Sequence, residues 1–566
     1  MPGFFITNTK EIPNLKNYDD SSCDRRTMIY KDWKISWNVL NKYMDDKIFY
    51  QDNDKIIILD GVILNKKDIM KEYNNTSWLD VVLEMSESSE VWFEKLRGSF
   101  SGAVMYKGSS EWVIFTDQCG AHLLLSAHIG NYFAIGSQLN YFSDWMKINK
   151  INRTINPNWA HDIVRYGCMR DAYSIINGVN RVYPGCYHKF NELGNEHEYI
   201  YYRVSKDIST HMTEDEIINK LDSLFHNAIK KITNKDKEYG YRTIVDISGG
   251  LDSRMNAVVA SKEDAEQIIG LTYSQRGSDD QIISDKVVSN LQIEHIFYPL
   301  DGGNCLKDID ELVFMNCGFN YYFGITGGKK ILETLNKDAF GCEIWGLLGD
   351  IYEGAMITDT GKKLEWNYPR FRMSAMHDDL KEPTEKHDFK DNELLWFYIR
   401  GMIMGMNTIC IRQNFVEPIT PYGDVEFMNF CFSLDEETRI KNHIYRKWMM
   451  TKYPDMAKIP YSGTGLPLTK TNVDELFLHL RNLFRRIYSI FAGDKKEWSM
   501  NPFDDWYNNN IELSKKIKKY YNDNIEYIKE STLKKEVIEL FTQGNSIEKL
   551  MAVSIISSVK QYIAER

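Results

Sequence analysis

The sequence predicts an α/β protein with a strand-rich first third, a doubly wound parallel sheet after it, and a helical carboxy-terminal stretch. Three observations carry that class. Thr243–Ala260, TIVDISGGLDSRMNAVVA, runs from a β-branched apolar strand through a glycine turn into helix formers. Strand-length and helix-length stretches alternate between residues 213 and 300, the spacing of a parallel sheet. Residues 55–137 hold many short strands punctuated by glycine, which indicates a sheet-rich layer structure.

In chain order, Lys55–Asn65 reads as a strand, an Asp60-Gly61 hairpin turn and a second strand. A further strand-rich region spans Leu96–Ser137, Trp159–Tyr166 is helical, and Val182–Gly185 is a turn closing the first third. Tyr201–Asp207 is a linker. Thr213 followed by Glu216 fits a capping box. It opens an amphipathic helix with Ile217, Leu221, Leu224, Phe225, Ala228 and Ile229 on one face. Ile268–Tyr273 is a second buried strand, Gln281–Leu291 a helix and His295–Leu300 a third strand. In such sheets ligands bind at the carboxyl ends of the strands. Glu343–Gly354 again runs from a strand into a glycine turn and a carboxylate. Gly401–Ile411 reads as a buried helix, and 476–566 as charged helices. Leu476–Phe491, with Arg481, Arg485 and Arg486 beside aromatics, reads as a solvated helix face.

The composition bounds the function classes. A chain of 566 residues with 43% hydrophobic residues suggests two to four globular domains. The net charge of −11, from 69 basic and 80 acidic residues, argues against a general nucleic-acid binder. Nine scattered cysteines without a CxxC pair fit a reducing compartment and give no zinc signature. The opening MPGFFITNTK has no signal-peptide pattern, and no run reaches the length of a membrane span. A cytoplasmic enzyme is the expectation.

The chemistry centres on Ser248–Ser253. Ser248-Gly249-Gly250 reads as a turn with unusual backbone angles that glycine adopts cheaply. Strand, turn and helix together gather backbone N–H groups and a helix N-terminus around one point, which is an anion site. Asp252 is ill suited to bare phosphate, but fits if Mg²⁺ lies between carboxylate and phosphates. Without a ligand the same residues make a tight β–α turn; the whole hexapeptide is far more specific than a lone glycine pair.

SGGLDS after a strand resembles the pyrophosphate loop of the ATP pyrophosphatases, which split ATP between the α- and β-phosphates and adenylate an oxygen. It lacks the GK[ST] of a Walker A sequence. The flanking chain narrows the resemblance to the asparagine synthetase-like family of the glutamine-hydrolysing type. DGVILN at 60–65 is similar to that family's NGEIYN, LRGSFSGAV at 96–104 to LxGxFAFA, TDQCGAHLL at 116–124 to RDRxGxxPL, and VYPG at 182–185 to PPG. Glu343–Gly354 is similar to SGEGSDExFGGY, with Gly346, Asp350 and Gly354 in register, and Glu417–Asp424 to ExRxPFLD. The resemblance implies an Ntn-type glutaminase-like αββα sandwich over 1–200, an ATP pyrophosphatase domain over 208–475 and a helical extension over 476–566. It implies ATP held by Ser248, Gly249, Gly250, Leu251, Asp252 and Ser253, with Gly346 and the backbone at Leu271 and Thr272 near the nucleotide. Asp252 and Asp350 would be the catalytic carboxylates sharing Mg²⁺ on the leaving pyrophosphate.

Several positions depart from the family pattern. Pro2 stands where the hydrolysing members carry the nucleophilic Cys, and Cys23 cannot use its own amine as base. Asp60 and Val62 replace the Asn and Glu of NGEIYN. The expectation is a glutaminase-shaped domain without glutaminase activity, serving a structural, regulatory or assembly role, with nitrogen from a separate glutaminase or free ammonia. Leu347 stands where asparagine synthetases carry a catalytic Glu, and Ile351 replaces the next one; Tyr352 and Glu353 are near but out of register. Ile419 replaces an Arg, Arg446 falls in the KxxLR helix, and a small residue holds the pyrophosphate Lys position. Lys458 or Lys470 would reach the site from nearby or be ordinary surface lysines. Asp280 would act near the metal or simply favour a helix N-terminus.

The resemblance thus implies an ATP-dependent, AMP-forming amide ligase: a small-molecule carboxylate is adenylated, and ammonia or an amine attacks. The GSFSG strand, SGGLDSR loop and TGLPL stretch resemble members from bacterial surface-polysaccharide clusters, where amidation of a uronic-acid sugar, carried as a nucleotide sugar, is the implied role. Ring-closing amide formation as in lactam or lasso-peptide enzymes, ammonia-dependent asparagine synthesis and a non-catalytic scaffold stay open. A homodimer is compatible with each; no nucleic-acid partner is expected.

Overall fold

The computed structural model describes residues 2–190, 196–206, 212–323, 327–349, 373–374, 376, 392–468 and 499–564. Two six-stranded antiparallel sheets form the first part. One runs Val179–Arg181, Leu125–Ile129, Tyr132–Gly136, Gly3–Thr7, Trp33–Leu40, Cys23–Tyr30. The other runs Glu196–Ile200, Cys186–Phe190, Glu111–Thr116, Gly98–Tyr106, Lys55–Ile63, Ile48–Gln51. Because side chains alternate along a strand, each sheet has two apolar faces to bury. Phe4, Ile6, Ile35 and Trp37 meet Ile56, Ile58, Met105 and Ile114 between the sheets. The outer faces are covered by helices: Phe5 and Leu125 lie against Leu139–Ile148, and Ile57 and Val104 against Trp78–Ser88. The result is the expected αββα layering.

The Asp60-Gly61 pair is not a hairpin turn. Lys55–Ile63 is a single strand, buried along its whole length. It pairs with Gly98–Tyr106 on one side, Asp60 opposite Ser101 and Gly61 opposite Phe100, and with Ile48–Gln51 on the other. Ile56, Ile57, Ile58 and Leu59 are apolar toward both faces, so the segment gains more as a central strand than as a hairpin. Gly61 does adopt a left-handed φ of 121°, within the strand and not at its end.

The parallel sheet follows. Helix α1, Glu214–Tyr239, begins at the capping box of Thr213 and Glu216 and ends at Gly240 with φ 74°. Strands β1 (Arg242–Asp246), β2 (Ile268–Ser274), β3 (His295–Pro299), β4 (Phe340–Ile344) and β5 (Glu417–Ile419) lie in the order β3-β2-β1-β4-β5, all parallel. Helix α2, Leu251–Asp264, follows β1, and α3, Asp279–Leu291, follows β2. Val245 and Ile344 pack with α1 and α2, while Ile244, Ile269 and Leu271 join a core containing Ile309–Asn316 and the carboxy-terminal helices. Both faces are covered, so the sheet is doubly wound.

The helix expected at 401–411 exists as wide, π-type turns over Phe397–Gly405 followed by tighter 3₁₀ turns over Met406–Asn414. Glu393–Asn414 is the one helical stretch among the described residues long and apolar enough to cross a membrane, and 83% of its apolar window is buried inside the protein. It therefore serves as core. The last helix, Ser546–Tyr562, packs against Leu139–Ile148, Pro157–Tyr166 and Ile309–Asn316, and ties the sandwich to the parallel-sheet part. Leu476–Phe491 lies outside the described residues.

Candidate functional site

The centre of the site is the crossing from β1 to α2. Gly250 is the N-cap of α2 and offers no side-chain cap, so α2 begins with its amides uncapped by a side chain. The turn is braced internally. Ser248 N donates to Ser253 Oγ (3.0 Å), the two hydroxyls are 2.9 Å apart, and Gly250 N donates to Ser248 Oγ (3.2 Å). Neither glycine is there for unusual angles: Gly250 has φ −75° and ψ 174°, and Gly249 is not in the left-handed region. Close approach explains Gly249 instead. A Cβ there would lie 2.8 Å from Ser462 Cβ, and Gly249 O accepts from Ser462 N at 2.8 Å.

Asp280 holds this turn. Its Oδ1 accepts from Gly249 N at 3.0 Å, and burial raises its pKa. It is placed as a loop brace at the N-terminus of α3.

The second turn, Trp345–Gly349, leaves β4 and lies against Asp252. A Cβ on Gly346 would come within 2.8 Å of Asp252 Cβ, and one on Gly349 within 2.5 Å of the Asp252 carboxyl Cγ and Oδ2. Leu348 between them has φ 75°, a conformation costing a non-glycine residue about 1–2 kcal/mol. Strain of this kind persists where surroundings over-determine it, as at ligand sites. Asp350, Ile351, Tyr352, Glu353 and Gly354 lie outside the described residues.

Both turns border a cavity of about 450 Å³. Ser248, Gly250, Asp252 and Ser253 line one part of it, with Gly346 and Leu347 beside them. Leu271 and Asp246 line another part, and Met500 from the carboxy-terminal region borders it. Three expected ligand contacts are not on its wall. Leu251 is buried in the core beside α1, Gly249 faces Ser462 and Asp280, and Thr272 donates its hydroxyl to Ile247 O at 2.7 Å. Leu347 is on the wall and brings no ionisable group.

The donor set suits Mg²⁺ that arrives on phosphates. Magnesium takes one or two carboxylates and completes its shell with phosphate oxygens and water. Asp252, half-buried in the first turn of α2 beside two serine hydroxyls, provides one such carboxylate. No cluster of three acidic, His or Cys ligands exists among the described residues, so the site does not resemble a self-sufficient protein metal cage.

Of the two lysines expected near the turn, only Lys458 lies among the described residues. Lys458 is exposed and pairs with Asp455 at 2.8 Å; Lys470 lies outside the described residues. The basic group beside the turn is Arg254, fully buried, which donates to Met456 O (2.9 Å), Ile459 O (2.7 Å) and Pro460 O (2.6 Å). Burial pulls its pKa down to about 10. Arg254 thus anchors the segment that leads to Ser462. Arg446 donates to Tyr461 Oη at 3.3 Å in that segment.

In the sandwich, burial raises the pKa of the Cys23 thiol, which accepts from Asn17 Nδ2 at 3.2 Å. A raised thiol is a poor nucleophile. Asp60 pairs with Lys47 at 3.0 Å, both buried.

Sequence reasoning missed Asp246, Glu343 and Arg412, which meet beside the cavity with only Asp246 on its wall. An acidic residue closing the apolar strand TIVD, and another inside FGCEI, were the available signals, since a charge in a buried strand needs a partner.

No curated protein matches the chain by sequence. Among solved structures, the glutamine phosphoribosylpyrophosphate amidotransferase from B. subtilis, complexed with ADP and GMP, is 10% identical over 47% of this chain and 51% of its own, with a TM-score of 0.21. A structure of the allosteric regulatory enzyme of purine biosynthesis is 9% identical over 52% of this chain and 74% of its own, with a TM-score of 0.23. The chain spans about half the length of the first of these, and at such TM-scores neither overlap bears on the site. The asparagine synthase family model matches residues 220–321, the segment that runs from within α1 through β1, the Ser248–Ser253 turn, α2, β2, α3 and β3, and so this segment of the chain is asparagine synthase-like.

Proposed function

We propose that the protein is an ATP-dependent amide ligase of the asparagine synthetase type, forming AMP and pyrophosphate. The observation that carries this is the uncapped α2 N-terminus and braced SGGLDS turn at the carboxyl end of the central strand β1, opening on a cavity with Asp252 on its wall. Such a terminus attracts phosphate through its amides and dipole. In this reading Ser248 and Ser253 orient the triphosphate, and Asp252 faces its departing end. Gly346 and Gly349 let the second turn close on Asp252; Asp350, the next residue in the chain and outside the described residues, is the second carboxylate that the sequence resemblance assigns. Bound Mg²⁺, held by Asp252 and Asp350, would offset the charge that builds up on the leaving pyrophosphate. Residues 1–200 form the sandwich partner, 208–475 the ligase domain and 476–566 the helical extension.

The apolar Leu347 on the wall supports a carboxylate other than aspartate, and a uronic-acid sugar is the first candidate. The test is exchange of labelled pyrophosphate into ATP by purified protein, with and without a nucleotide-linked uronic acid, followed by mass detection of AMP and an amidated sugar. Exchange stimulated by the sugar supports the reading. ATP that fails to bind at all favours the scaffold alternative and refutes it.

A further inference from the structure

Beside the ATP turn, the cavity meets a buried ionic cluster that the ligase reading does not use. Asp246 ends β1, Glu343 lies in β4, Tyr273 in β2, and Arg412 comes from the 3₁₀ turns of Met406–Asn414. The Arg412 guanidinium donates to Glu343 Oε1 and to Tyr273 Oη, and its second arm lies 3.2 Å from Asp246 Oδ2. It stacks 5.1 Å from the Trp345 ring centre and 5.2 Å from that of Tyr273. Gly328 makes room for it, since a Cβ there would lie 2.6 Å from the guanidinium.

One oxygen of each carboxyl, Asp246 Oδ1 and Glu343 Oε2, is buried without a hydrogen-bond donor. Arg412 contacts both carboxyls. A carboxyl that shares one guanidinium with a second carboxyl is harder to ionise. Burial foremost, with Glu343 adding to it and Arg412 opposing, pushes the Asp246 pKa well above the carboxylate range.

Of the three charged side chains only Asp246 reaches out: it keeps 14% exposure, against 0% for Glu343 and 1% for Arg412. It lines the cavity together with Leu271, Tyr273, Trp345 and Met500. Among the described residues that line the cavity, an anionic group facing Asp246 would meet a carboxyl and no cation. A flat, neutral ligand part with a hydrogen-bond donor, set among apolar walls, matches the surroundings.

We propose that the Asp246 carboxyl, braced by Glu343 and Arg412, recognises the nucleoside half of ATP by pairing with one of its neutral hydrogen-bond donors, while the triphosphate lies on Ser248–Ser253. Asp246 is thereby a specificity-determining residue, and the carboxylate substrate is directed elsewhere. The inference rests on the cavity being the ATP site.

The test is calorimetric titration of the full-length protein with Mg²⁺ present, using ATP, inosine triphosphate, 2′-deoxy-ATP and tripolyphosphate. Inosine triphosphate lacks the exocyclic amino group, and 2′-deoxy-ATP lacks one ribose hydroxyl. The wild-type chain is expected to bind one of these two analogues about tenfold more weakly than ATP, which identifies the donor. Asp246→Leu is expected to weaken ATP about tenfold, to lose that discrimination, and to leave tripolyphosphate affinity unchanged. The substitution leaves Arg412 and Glu343 as a balanced buried pair, so the sheet has no unpaired charge. If Asp246→Leu also loses tripolyphosphate binding, the smaller Asp246→Ala, which likewise has no acceptor, is judged by the same criteria. Wild-type protein that binds neither ATP nor tripolyphosphate refutes the ligase reading. Wild-type protein that binds ATP without discriminating either analogue, or Asp246 variants with unchanged ATP affinity, overturns this inference and leaves the ligase reading standing.

Discussion

Gly349→Ala tests the closeness of the two turns most directly. The added methyl would sit 2.5 Å from both Cγ and Oδ2 of Asp252, whereas ordinary contact begins near 3.4 Å. Something must move by about 0.9 Å, and the backbone of the turn is already constrained by Leu348 at φ 75°. The Asp252 carboxylate is the group that yields. In the proposed ligase Mg²⁺ would take its ligands at about 2.0–2.1 Å, so a displacement of that size would remove Asp252 from its shell. Losing one charge-assisted contact is worth about 1.5–3 kcal/mol, roughly ten- to hundredfold in Kd. The overpacking itself should cost about 1–3 kcal/mol of stability. The assay is titration of ATP with and without Mg²⁺ on wild type and variant, with a thermal melt as the folding control. The expected result is a folded variant whose Mg²⁺-dependent gain in ATP affinity shrinks by that factor while its Mg²⁺-free affinity is unchanged. A variant with wild-type Mg²⁺ dependence would refute the argument that this glycine is required by the metal-facing carboxylate.

Three further predictions follow from the same packing. Asp252→Asn keeps the size and removes the charge, so it should abolish the Mg²⁺-dependent part of ATP binding and pyrophosphate exchange with little change in melting; unchanged exchange would remove Asp252 from the mechanism. Arg254→Met should destabilise the fold by about 3 kcal/mol, because the buried carbonyls of 456 and 459 and the half-buried one of 460 lose their donor; denaturant unfolding measures this, and a wild-type midpoint would contradict it. Burial pushes the Glu417 carboxyl up to about 7, with Lys47 and Lys42 opposing and the Asp60 charge adding. The unfolded chain gives up this proton near pH ~4.3, so the native state holds more protons across the interval between. This contribution to stability is therefore full below pH ~4.3 and falls by up to about 3 kcal/mol as pH rises toward 7. Glu417→Gln should flatten that part of the stability–pH curve, and an identical slope in the variant would show that another group is responsible.

Contiguous features were legible from the residues alone. The strand, glycine turn and helix of 243–260 follow from β-branched residues, two glycines and helix formers in immediate succession, and the asparagine synthase match covers that same stretch. The Thr213–Glu216 capping box is four residues long and forms as read. The Asp60-Gly61 pair shows where local signals fail. Its turn chemistry is genuine, but two neighbouring strands on either side reward continuing straight, and those partners come from residues 48–51 and 98–106. The glycines of the site make the same point. Gly249 and Gly349 look like turn residues in the sequence, and in the fold they are contact residues, one facing Ser462 and the other Asp252.

By itself the sequence determined the α/β class, the alternation that makes a parallel sheet, and the hexapeptide that forms an anion-attracting helix start, because each depends on backbone preference and side-chain period over a few neighbouring residues. Only the tertiary structure decided which charges meet. Asp246, Tyr273, Glu343 and Arg412 come from three strands and a distant helical segment. What each does is set by burial and by the partner it meets across the sheet, and no local pattern encodes the distance between residues that far apart in the chain.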